Sequence, residues 1–268
     1  MYSFDYRCPR SLAEATALLS ELEDAQVLAG GHTLLPTMKQ RLAAPSTLID
    51  LSRIEELRHI VATDAGVHIG AMATHGDIAE SSAVRSVVRG FCELASMIGD
   101  PHVRNRGTLG GSLANNDPTA DYAAGILALN ATIVTDRRAL SVDDFFQGLF
   151  TTALEEGEII LRCEIETPSA FGYARAPNPA SRYALAGVAI CRRAADIRVA
   201  VTGAGSDGVY RWQEAEEALA ADFSAASLSG LRPDPSEMSA DIHASSNYRS
   251  MLVGQMAMKA LERALALS

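Results

Sequence analysis

Two glycine-bearing stretches decide how this chain reads: Ala29-Gly30-Gly31-His32-Thr33-Leu34 and Thr108-Leu109-Gly110-Gly111-Ser112. Before the first, the apolar run Gln26-Val27-Leu28 reads as a short buried strand. After it comes a helix, with Pro36 tolerated in its first turn and Met38 to Leu42 beyond. Glycines between a strand and a helix admit positive φ and leave successive backbone N–H groups open. A concave row of such donors, backed by a helix, binds phosphate. The same residues also make a plain βα turn, with Thr33 as N-cap and His32 a surface histidine. The second stretch exposes backbone again and adds the Thr108 and Ser112 hydroxyls, which donate to phosphate or ribityl oxygens. Taken singly it is also a bulged strand or bend. The two together are more telling, because a dinucleotide diphosphate fits between them. Asp121 then becomes an acceptor for a ribose, ribityl or ring N–H. Its plainer role is a first-turn acid that suits the helix dipole.

Working outward, Ser11-Leu12-Ala13-Glu14 is a capping-box pattern opening an amphipathic helix to about Leu22. Pro45 stops the next helix, and Leu48 to Leu51 reads as a strand, giving a βα-type unit. Val67 to Ile69 is a short strand, Thr74 a helix start, and Ser82 to Ile98 a helix. Gly99 to Pro118 reads as irregular and too long for a simple connector. Asp117-Pro118 opens a helix over 119–129, which Asn130 caps. Strands follow near 131–135 and 158–166. The proline-bearing stretch Pro168 to Ser181 reads as a domain boundary. Beyond it, Tyr183 to Arg193 and Ile197 to Thr202 form a hairpin, Trp212 to Ala221 a helix, and Asn247 to Leu267 a closing helix.

The 268 residues are 48% hydrophobic and 21% charged, ordinary for a globular chain of one large or two modest domains. Net charge is −10, with no basic run, which argues against nucleic acid or an anionic membrane as partner. No stretch approaches about 18 consecutive apolar residues, and Met1 to Arg7 lacks the apolar core of a signal peptide, so a cytoplasmic location is expected. Cys8, Cys92, Cys163 and Cys191 have neither CxxC nor zinc-finger spacing. They are read as reduced, mostly buried thiols rather than as ligands of a metal or a cluster. No GxSxG, HExxH or HxE-with-CxxC pattern is present. Gly203-Ala204-Gly205-Ser206-Asp207-Gly208 matches GxGxxG, which offers an alternative: an NAD-dependent dehydrogenase. But no helix opens at the third glycine, and no second strand ends in an acid about 20 residues on.

The two glycine stretches resemble the FAD motifs of the medium, flavin-carrying subunit of molybdenum hydroxylases, the family of aerobic carbon monoxide dehydrogenase and xanthine dehydrogenase. Ala29 to Pro36, with Met38-Lys39 and Leu48-Ile49-Asp50, is similar to the first motif. Thr108 to Ala114, with Asp117-Pro118 and Asp121, is similar to the second. Thr74-His75 and Val103-Arg104-Asn105-Arg106 between them also fit. The resemblance spans essentially the whole chain. It implies an α+β fold. Residues 1–170 would form a vanillyl-alcohol-oxidase-like (PCMH-type) FAD-binding domain of two subdomains, about 1–57 and 58–170. Residues 171–268 would form a small flavoprotein C-terminal domain. It implies that Ala29, Gly30, Gly31, His32, Thr33 and Leu34, with Thr108, Gly110, Gly111 and Ser112, hold the pyrophosphate through backbone N–H groups. It also implies that Asp121 contacts the ribityl or flavin side, and that Tyr183 lies by the isoalloxazine. The chain departs from many relatives in keeping only Arg175 and Arg182 where they carry more basic residues. The implied activity is electron relay by FAD, from an Fe–S small subunit to an external acceptor, in a dimerised heterotrimer with a molybdopterin large subunit. A flavin-free binding module is a third reading.

Overall fold

The computed structural model describes residues 1–194 and 196–267. It has three sheets. The first joins β1 (Asp5–Arg7), β2 (Ala25–Leu28) and β3 (Thr47–Asp50) in the parallel order β1-β3-β2. The second joins β4 (Ile60–Ala62), β5 (Gly66–Gly70), β6 (Thr132–Thr135), β7 (Ala139–Ser141) and β8 (Ile160–Glu166) in the antiparallel order β4-β5-β8-β6-β7. The third is antiparallel, β12-β11-β10-β9, from β9 (Ala170–Pro177), β10 (Ala184–Arg193), β11 (Asp196–Thr202) and β12 (Tyr210–Arg211). The helices are α1 (Leu12–Glu21), α2 (Leu34–Lys39), α3 (His75–Glu80), α4 (Ser82–Ser96), α5 (Pro101–Arg104), α6 (Leu109–Asn115), α7 (Asp121–Ala128), α8 (Val142–Phe145), α9 (Gln213–Ala221) and α10 (Ser246–Ala266). The class is mixed α/β.

Local chemistry sets these boundaries. The Ser11 hydroxyl accepts the Glu14 N–H at the start of α1, and Thr74 with Asp77 makes a reciprocal capping box on α3. Strand β3 is buried along its length because β1 and β2 flank it. The third sheet separates two cores by the period-2 alternation of its strands. Phe171, Tyr173 and Ala189 join Phe91, Tyr122 and Phe145 in the larger core. Ala174, Val188, Ile190 and Val201 meet Trp212, Val253 and Leu261 of α9, α10 and their approach.

The structure corrects two expectations of local structure, and it places strand β9 over most of Pro168 to Ser181, the expected domain boundary. Pro177 sits at the last strand position, where a lost N–H costs little. Gly99 to Pro118 is not irregular but holds α5 and α6; α6 forms despite Gly110 and Gly111 because Thr108 caps it and tertiary packing outweighs propensity. The helix expected from 119 starts at Asp121 instead. The Asp117 carboxylate accepts the Thr119 N–H and hydroxyl, holding 117–119 in a turn. All four cysteines are free thiols, and Cys92, Cys163 and Cys191 are buried.

Candidate functional site

The first glycine turn leaves the end of β2 and enters α2. Gly31 has φ +73, a conformation L side chains rarely adopt. Gly30 lies directly on another part of the backbone: a Cβ there would stand 2.2 Å from the Arg106 carbonyl oxygen and 2.9 Å from Gly107 Cα. The second turn is thereby brought against the first. A Cβ on Gly111 would sit 3.4 Å from the Ala29 methyl, and one on Gly110 would sit 2.6 Å from the Ala71 methyl. Between them opens a cavity of about 730 Å³, within the range of small-molecule sites. Ala29, Gly30, Gly31, His32, Thr33, Leu34, Thr108, Gly110, Gly111, Ser112, Asp121 and Tyr183 all line it.

The two turns are not equivalent as donors. In the first, the N–H groups of Gly30, Gly31, His32, Thr33 and Leu34 have no acceptor among the described residues. In the second, the Gly110, Gly111 and Ser112 amides are engaged, and the Thr108 N–H has no acceptor among the described residues. Leu109 donates to the Ala73 carbonyl (3.1 Å), Gly110 to Ala71 (2.8 Å) and Ser112 to Thr108 (3.1 Å). Gly111 donates to the Thr108 hydroxyl oxygen (3.1 Å). The expectation that this stretch offers a row of backbone N–H groups is therefore cut back to the Thr108 N–H. Its glycines serve close packing, and beside that one amide it lines the cavity with the Thr108 and Ser112 hydroxyls.

Asp121, 5% exposed, opens α7 at the cavity wall. Sequence reading had missed its partners on β9. Arg175 donates from one nitrogen to both carboxylate oxygens (3.1 and 2.9 Å), and Tyr173 donates its hydroxyl to Oδ1. Arg175 also donates to the Met97 carbonyl. Burial pushes the Asp121 carboxyl above its ordinary range, against the pull of Arg175 and Tyr173. No spacing in the sequence pairs Asp121 with Arg175, because the strand that carries Arg175 reads as a domain boundary. Tyr183, 50% exposed, lines the same cavity, and burial raises its hydroxyl, helped by the charges of Asp117 and Asp121.

His75 lies under the junction of the turns. Its Nε2 occupies the space a Gly107 Cβ would need, at 2.5 Å, and its ring tilts over Tyr122 at 5.2 Å. Its Nδ1 is buried with no partner among the described residues. Burial, then the charges of His32 and Arg104, lowers its pKa to about 4. An unfolded histidine takes its proton near 6.5. As pH falls from 6.5 to about 4, the unfolded chain binds the proton first and the folded state loses on the order of 3 kcal/mol. Urea unfolding at pH 7 and pH 4.5 should show this loss, and His75→Gln should reduce it. An unchanged pH dependence in the variant would show that His75 titrates normally.

The GxGxxG stretch is not a nucleotide loop. Gly203 to Gly208 turns from β11 into the antiparallel β12, and Gly205 bridges to Met238. No helix begins there. Among the described residues, no cluster of three or more His, Cys, Asp or Glu side chains is placed to hold a metal. No described helix is long and apolar enough to cross a membrane.

A cavity built between two converging turns of a mixed α/β chain is the architecture of a cofactor-binding protein, and comparison with known proteins makes this specific. Residues 2–168 match the FAD binding domain in molybdopterin dehydrogenase. The chain is 35% identical to the carbon monoxide dehydrogenase medium chain of Hydrogenophaga pseudoflava, covering 98% of this chain and 97% of that one. It is also 35% identical to the nicotine 6-hydroxylase medium subunit of Paenarthrobacter nicotinovorans, covering 94% and 93%. A chain of reconstituted CO dehydrogenase from Oligotropha carboxidovorans superposes with a TM-score of 0.89 at 32% identity, covering 100% of this chain and 99% of that one. This chain belongs to the family of FAD-binding domains of molybdopterin dehydrogenases.

Proposed function

We propose that the chain is the FAD-carrying electron-transfer subunit of a molybdenum hydroxylase. It relays electrons from an Fe–S small subunit to an external acceptor, alongside a molybdopterin large subunit, in a dimerised heterotrimer in the cytoplasm. Residues 1–170 are the FAD-binding part, of the vanillyl-alcohol-oxidase-like kind with subdomains of about 1–57 and 58–170, and 171–268 the C-terminal domain. The observation that carries this reading is the row of unengaged N–H groups from Gly30 to Leu34, inside a cavity lined by both glycine turns.

The residues present fit FAD. The Gly30–Leu34 amides hold the diphosphate, since consecutive N–H groups on a tight turn stabilise anionic oxygens. Thr108 and Ser112 add hydroxyls beside it. The glycines of both turns let backbone approach closely enough to make one cradle. Tyr183 offers an aromatic face to the flavin ring. The buried Asp121, balanced by Arg175, fixes the local charge on the ribityl and flavin side. When bound, FAD accepts and releases electrons, and the protein supplies position and electrostatics. The molybdenum-bearing chain then chooses the substrate. This accords with the different substrates in the relatives' names, carbon monoxide for one and nicotine for another.

The test is a titration of the purified full chain with FAD, followed by its visible absorption. One flavin should bind per chain. Gly31→Val should weaken binding at least tenfold, because the left-handed backbone at Gly31 admits no β-branched residue without strain and Leu35 must move. A chain that takes up no flavin, alone or co-purified with its partner subunits, would overturn the reading.

A further inference from the structure

The loop Gln147 to Thr151 carries a bulky side chain in a conformation that bulky residues avoid. Phe150 has φ +54, in the left-handed region. Its side chain is 61% exposed, yet it lines the cavity of the two glycine turns. The loop is held in place from below. Asn116, 3% exposed and itself at φ +41, donates through Nδ2 to the Gly148 and Thr151 carbonyls, each at 2.8 Å. The Phe150 N–H donates in return to the Asn116 carbonyl at 3.1 Å. Asn116 caps the C-terminal end of α6, the helix whose first turn is the second glycine stretch. One short helix thus links the glycine cradle to the strained loop.

Left-handed backbone at a phenylalanine persists only where the surroundings over-determine it, and such strain gathers at ligand clamps. Here the buried amide does the determining, and its result is an aromatic face kept in the open at a cavity wall. Phe150 and Tyr183 are the two Phe or Tyr side chains lining the cavity among the described residues. Asp117 lines the cavity with them, and Phe150 is tied to Asn116, the residue before Asp117. A planar ring system is the ligand two open aromatic faces suit.

We propose that Phe150 is a further cofactor-contact residue, an aromatic wall for the isoalloxazine, and that Asn116 is the positioning residue that holds it there. The inference rests on the FAD reading above. It is tested on the full chain by FAD titration together with the circular dichroism of the bound flavin's visible bands, which report the ring's surroundings. Phe150→Ala should raise Kd about tenfold, as loss of one aromatic contact implies, and should change those bands. Asn116→Gly keeps the left-handed backbone but deletes the amide, and should move both readouts in the same direction. Phe150→Tyr should return both towards wild type. Phe150 is largely exposed, so its two variants fold, and urea unfolding checks that the buried Asn116→Gly does. Unchanged affinity and unchanged bands in Phe150→Ala would overturn the proposal. So would weaker binding with the flavin bands untouched, which would place Phe150 away from the ring. Failure of the wild-type chain to bind FAD would instead defeat the underlying reading, and this inference with it.

Discussion

Gly30→Ala is expected to weaken FAD binding about a hundredfold and to destabilise the chain by about 3 kcal/mol, at the upper end for overpacking. The added methyl would stand 2.2 Å from the Arg106 carbonyl oxygen, 2.8 Å from its carbon and 2.9 Å from Gly107 Cα. All three atoms are backbone and cannot rotate away. Gly107 is itself pinned: its N–H donates to the Val103 carbonyl at 2.8 Å, its carbonyl accepts the His75 N–H at 2.9 Å, and His75 fills the space at its Cα. The first turn must therefore move, and the row of amides moves with it. Gly31→Ala should cost less, about 1–2 kcal/mol for left-handed backbone, because its nearest neighbour is the end of the Leu35 side chain. Gly111→Ala should cost least. Its new methyl meets the Thr108 hydroxyl at 2.9 Å, and the expense is that of a perturbed cap, about 1 kcal/mol. FAD titration and urea unfolding of the three variants should return this order. Equal losses at Gly30 and Gly111 would show that the two turns contribute alike, against the hydrogen-bond pattern.

The first turn was legible because everything it needs is local: a strand, two glycines and a helix start lie within one stretch, and open N–H groups follow from that geometry. The second was legible as a place but not as a conformation. Gly110 and Gly111 read as exposed backbone, whereas the space for a side chain is taken by Ala71 at Gly110 and by the capping Thr108 hydroxyl at Gly111, and Ala71 is not near in sequence. The prolines of 168–181 suggest a domain boundary by composition. Yet a strand tolerates proline at its end, and the pairing that makes β9 a strand comes from β10. Arg175 is visible in the sequence only as a retained basic residue, and without that strand neither its pairing with Asp121 nor Tyr173 beside it can be read. Asp121 and Tyr183 could be placed at the site by resemblance, but the charge balance there could not. Phe150 gave no signal beyond a glycine two residues before it, since its position depends on the amide of Asn116 in another element.

That hidden charge balance carries the second large expectation. Arg175→Met should destabilise the chain by about 3–5 kcal/mol at neutral pH, the usual loss when one partner of a buried ion pair is removed. Asp121 would keep the Tyr173 hydroxyl but lose its counter-ion, and burial would drive its carboxyl still higher. A carboxyl whose folded pKa lies above its unfolded one stabilises the fold only while protonated. The penalty should therefore be small in acid and grow as pH rises through the folded pKa, opposite in direction to the His75 effect. Adding Asp121→Asn to Arg175→Met removes the stranded charge and should recover most of the loss, so the two substitutions will not be additive. Urea unfolding of the single and double variants at pH 5 and pH 8 reads this directly. A single variant as stable as wild type at pH 8 would mean that Arg175 is not what keeps Asp121 ionised in the cavity wall. The charge assigned to the flavin side of the site would then have to be withdrawn.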